Sequence, residues 1–77
     1  MFYQFVDRKT GNPITVNLTK IVWATPGPKI DFSNLHHCDI LMEGEEAYFT
    51  VVESYDFVIS ILRNPSRWPE LESGNPE

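Results

Sequence analysis

Seventy-seven residues with 11 acidic and 6 basic side chains leave a formal net charge of −5, and 42% of the chain is hydrophobic against 22% charged. A chain this short buries only about 60% of its unfolded surface, so it supports one small domain, and separate cofactor and substrate domains are excluded. Its apolar content is too high for wholesale disorder, and runs such as Ile21 to Ala24 fall far short of the roughly 18 residues a membrane-spanning helix requires.

Phe2 to Asp7 is aromatic and β-branched, and it runs into the turn formers Arg8-Lys9-Thr10-Gly11-Asn12-Pro13 before Ile14-Thr15-Val16 resumes strand character. That pattern predicts a β-hairpin. The Asn17 side chain is placed to cap a single helical turn over Leu18-Thr19-Lys20, and Ile21-Val22-Trp23-Ala24 reads as a third strand. Thr25-Pro26-Gly27-Pro28 is expected to stop that strand, as a loop or a sheet edge, because proline cannot donate to a ladder. An irregular connection is expected over Lys29 to Leu35.

Cys38, Ile40 and Met42 then alternate with Asp39, Leu41 and Glu43, the Glu43-Gly44-Glu45 segment supplies a turn, and Ala47 to Val52 is a β-prone return strand. The period changes after Glu53-Ser54. Tyr55, Val58, Ile59 and Leu62 fall at i, i+3, i+4 and i+7, with Ser54 as N-cap, Asp56 in the first turn and Asn64-Pro65 as the stop. A helix of about ten residues is marginal alone and must pack on the sheet. The fold class expected is therefore α+β: an antiparallel β-meander of four to five strands with one C-terminal helix packed on the sheet, over residues 1–64. Residues 65–77 read as an acidic, proline-containing tail, extended or disordered. Within it, Trp68 and Leu71 are anchors of a short docking segment, unless Trp68 folds back over the sheet to close the core.

The chemistry-bearing residues are few. His36-His37-Cys38-Asp39 is the one cluster of metal-ligating types, but neighbours on a strand point to opposite faces and a closed zinc site needs four ligands, so no metal or cofactor is expected. Thiolate catalysis by Cys38 needs an electropositive setting, and Cys38 precedes Asp39 in the acidic half. The charge divides sharply: residues 1–30 hold Arg8, Lys9, Lys20 and Lys29 against Asp7 alone, whereas residues 31–77 hold ten acids against Arg63 and Arg67. Arg8, Lys9, Lys20 and Lys29 with Trp23 compose the alternative reading, a basic and aromatic face for single-stranded nucleic acid. The overall −5 works against it. Glu43, Glu45 and Glu46, with Trp68 and Leu71, are the candidate partner-binding residues.

The stretch Val16-Asn17-Leu18-Thr19-Lys20-Ile21, a strand containing Pro26, an apolar strand, a glycine turn, and Val51-Val52-Glu53-Ser54 followed by Val58 and Ile61 together resemble the small flagellar and swarming-motility proteins of the FlbD type. The resemblance covers residues 14–62. It implies a compact β-meander plus helix, no enzymatic activity and an accessory role, and it transfers no catalytic residue.

The function expected is a small non-enzymatic protein-interaction module with a protein partner, a homodimer being reasonable because exposed strand edges can pair. Met1-Phe2-Tyr3-Gln4 has no basic segment ahead of an apolar one, and the single cysteine cannot close an internal disulfide. A cytoplasmic setting, away from any membrane, is the corresponding expectation.

Overall fold

The computed structural model describes residues 1–68. Strands β1 (Phe2–Val6) and β2 (Pro13–Asn17) form an antiparallel hairpin, and β3 (Ile21–Lys29), β4 (His36–Met42) and β5 (Phe49–Ser54) form an antiparallel sheet in the order β3-β4-β5. Helix α1 (Tyr55–Leu62) follows β5 directly and packs on the three-stranded sheet. The expected α+β class with five strands and one packed helix holds, with the strands divided between two sheets rather than sharing one.

The sheets meet where β1 ends. Asp7 bridges Val51, the Arg8 N–H donates to the Thr50 carbonyl at 2.8 Å, and the Val6 N–H donates to Glu53 Oε1 at 3.0 Å. One face of every strand then turns inward. Phe5, Val16, Leu18, Cys38, Ile40 and Val51 meet Val58 and Ile61 of α1 in a single core that, among the described residues, holds no buried polar or charged residue.

Local chemistry accounts for the element boundaries. Asn17 Oδ1 accepts from the Thr19 N–H and Oγ1, which caps a single 3-10 turn over Leu18–Lys20. Ser54 Oγ accepts from the Phe57 N–H and starts α1. Two expectations change. The Thr25-Pro26-Gly27-Pro28 run does not stop the third strand, and of the loop and sheet-edge readings the edge is the one observed: β3 continues to Lys29, and it tolerates both prolines because, among the described residues, only β4 pairs with it. The return strand begins at Phe49 rather than Ala47, because Glu45–Ala47 are spent on the turn. Gly27 serves a close approach: a Cβ there would lie 2.5 Å from the Asp39 carboxylate, which Thr50 Oγ1 holds by a 2.6 Å hydrogen bond.

After α1, Pro65–Arg67 make a 3-10 turn that returns Trp68 to the core, where its indole Nε1–H donates to the Ile61 carbonyl at 2.8 Å. Of the two readings of Trp68, folding back is the one observed. The rest of the expected tail, Leu71 included, lies outside the described residues.

Candidate functional site

The sequence-derived candidates occupy separate parts of the molecule. Glu43, Glu45 and Glu46 are exposed on the β4–β5 turn, and Trp68 is half-buried at the end of α1. Arg8 and Lys9 sit at the β1–β2 tip, whereas Lys20 lies beyond the far end of β2 and its Nζ is 3.5 Å from Glu43 Oε1. Lys29 is at the distal end of β3, opposite His36. Trp23 stacks at a tilt on Tyr48, with ring centroids 5.9 Å apart. Arg8 and Lys9 are thus neighbours, while Lys20 and Lys29 are at other corners.

The metal-ligating cluster is dispersed by its own hydrogen bonds. His36 Nδ1 lies 2.7 Å from the Gly27 carbonyl on the β3 side, and His37 Nδ1 lies 2.8 Å from the Val52 carbonyl on the β5 side. Asp39 is held by Thr50, and Cys38 points into the core. Among the described residues no three His, Cys, Asp or Glu side chains converge. Burial pushes the Cys38 thiol up from 9.0 to about 11; the Asp39 carboxylate adds to the rise and a backbone hydrogen bond from Thr25 opposes it.

A consequence can be measured. Below pH 9.0 the thiol is protonated in both states; between 9.0 and about 11 the unfolded thiol ionises first, so stability falls as pH rises through this window. Tyr3, raised from 10.0 by burial and then by the Glu53 carboxylate, acts in the same direction. The urea midpoint is expected to drop between pH 9 and 11, less steeply in Cys38→Ala, and a thiol reagent at pH 8 should label Cys38 only after urea is added. Rapid labelling of the native protein would contradict the burial.

The feature that gathers several elements is a groove of about 480 Å³ between β2 and the β4–β5 turn. Ile14, Met42 and Phe49, all half-buried, make its floor, with Ala47 beside them. Lys20, Glu43 and Glu45 stand around it. One wall is β2 itself, which pairs with β1 alone, so its outer side has no strand partner among the described residues. Glu43 and Glu45 were legible as exposed acids, but the floor was not. Alternation assigns Ile14, Met42 and Phe49 to inward faces, and only the placing of one sheet against the other leaves them half-covered.

Among the described residues no helix is long and apolar enough to cross a membrane. Neither a protein-family model, a curated protein nor a solved structure matches the chain.

Proposed function

We propose that the chain is a small non-enzymatic protein-interaction module that engages its partner through the groove between β2 and the β4–β5 turn. The observation that carries this reading is the composition of that groove: a half-buried apolar floor of Ile14, Met42 and Phe49 inside a charged rim of Lys20, Glu43 and Glu45. An apolar centre ringed by polar groups is the anatomy of a protein contact. A small ligand is fixed by polar groups set into its pocket, and among the described residues the core behind this floor has no buried polar side chain to offer. The resemblance of residues 14–62 to FlbD-type proteins, with the accessory role it implies, supports the same reading.

The test is a photo-crosslinking side chain in place of Ala47, in the groove, compared with the same group in place of the exposed Asp56 on α1. Discrete protein adducts are expected from position 47 alone. Identical patterns from both positions, or adducts to nucleic acid, would sink the reading. Labelled single-stranded oligonucleotides at low salt are expected to leave micromolar protein unbound, because Lys20 is engaged by Glu43 and Lys29 lies apart from Arg8 and Lys9.

A further inference from the structure

Resting on that reading, we infer that the partner segment is an extended, basic peptide that joins β2 as an added strand, with an apolar side chain over the groove floor. The first support is the hydrogen-bond parity of the hairpin. The Asp7 N–H donates to the Asn12 carbonyl at 2.8 Å, and the Leu18 N–H donates to the Met1 carbonyl at 2.7 Å. With the register Phe5↔Ile14 and Tyr3↔Val16, alternation turns the backbone groups of Ile14 and Val16 toward β1. Those of Thr15 and the N–H of Asn17 therefore point outward, the Asn17 carbonyl being used by the 3-10 turn over Leu18–Lys20, and both residues line the groove. An open edge beside a shaped apolar recess is what strand addition uses: main-chain bonds supply affinity, and pockets for alternate side chains supply specificity.

The second support is charge. Glu43 and Glu45 line the groove against Lys20 alone, Glu46 follows on the same exposed turn, and the whole chain carries −5. A basic segment is drawn to this edge, whereas a second copy of the chain brings another −5 with it and is repelled. Lys20 makes the assignment sharper. Its ammonium already lies 3.5 Å from Glu43, so it competes with an incoming lysine or arginine, and its removal strengthens the binding of a basic peptide while weakening that of an acidic one.

The experiment uses the full chain and three fluorescein-labelled peptides: one alternating valine with lysine, its glutamate-for-lysine counterpart, and the lysine peptide N-methylated along one edge. The lysine peptide is expected to bind and to protect the Thr15 and Asn17 amides from hydrogen exchange. N-methylation should weaken it by about tenfold or more, because the ladder bonds are lost. Glu45→Lys should weaken it by about tenfold, and Lys20→Gln should strengthen it. Circular dichroism confirms that both variants are folded. Equal binding of the N-methylated peptide overturns strand addition, and equal or tighter binding of the glutamate peptide overturns the basic class. If no peptide binds while position 47 still crosslinks to protein, this inference falls and the interaction-module reading stands. Failure of the crosslinking removes that reading as well.

Discussion

Replacing Phe5 by alanine is expected to leave the chain largely unfolded at room temperature. Phe5 is fully buried, lies at the centre of the core between the two sheets, and packs its ring against Tyr3 at a centroid distance of 4.9 Å. Truncating such a side chain costs about 3–5 kcal/mol through lost burial and the cavity left behind. The core of a domain this small supplies a net stability of about the same size, so little is left. Phe5→Leu keeps most of the volume and should cost about 1.5 kcal/mol or less, remaining folded. Far-ultraviolet circular dichroism with urea titration distinguishes the two. An alanine variant melting cooperatively within a few degrees of the parent would mean that β1 is not seated on the core.

Trp68→Ala is expected to lower the unfolding free energy by about 2–3 kcal/mol, less than the full cost of a buried tryptophan because the ring is only half-covered. Two contributions add. The ring packs against the core, and its N–H adds a 2.8 Å hydrogen bond to the Ile61 carbonyl, which also accepts from the Asn64 N–H at 3.2 Å. Trp68→Phe retains most of the packing and forfeits the hydrogen bond, so it should lose about 1 kcal/mol. Urea titrations of the three proteins separate these amounts. Equal midpoints would show Trp68 detached in solution and available as a docking segment.

Much of the fold could be read locally because its signals are local. Asn17, Ser54 and the Asn64-Pro65 stop act within a turn of their own positions, and the alternation from Cys38 to Met42 names the inward face of β4 from side-chain period alone. The prolines were harder. Pro26 and Pro28 carry the same backbone restriction in a loop and in an outer strand, and only the pairing partner of β3 decides between them. The site was harder still. Glu43 and Glu45 are recognisable as turn acids, but the groove exists because the β1–β2 hairpin is joined to β5 through Asp7, Val6 and Glu53, contacts separated by more than forty positions. The approach of Lys20 to Glu43 follows instead from the β3–β4 ladder, which sets Ile21 opposite Met42 and lets the Glu43 N–H donate to the Lys20 carbonyl, so the separation into a basic and an acidic half along the chain does not survive as two separate surfaces.

Of the edge strands, β2 and β3 are unequal, and this bears on how an added strand can join the molecule. β3 carries Pro26 and Pro28, which have no amide to donate, and its ladder with β4 shifts register near Val22 and again beyond Pro26. β2 is short and regular, with proline only at its first position. Fibre growth by edge-to-edge stacking needs a donor side and an acceptor side on every molecule, and one of the two is blunted here. Of these two strands, β3 is therefore the poor template for an added strand, and an extended segment that joins the molecule is directed to β2, so that open-ended stacking from β2 of one copy to β3 of the next is disfavoured.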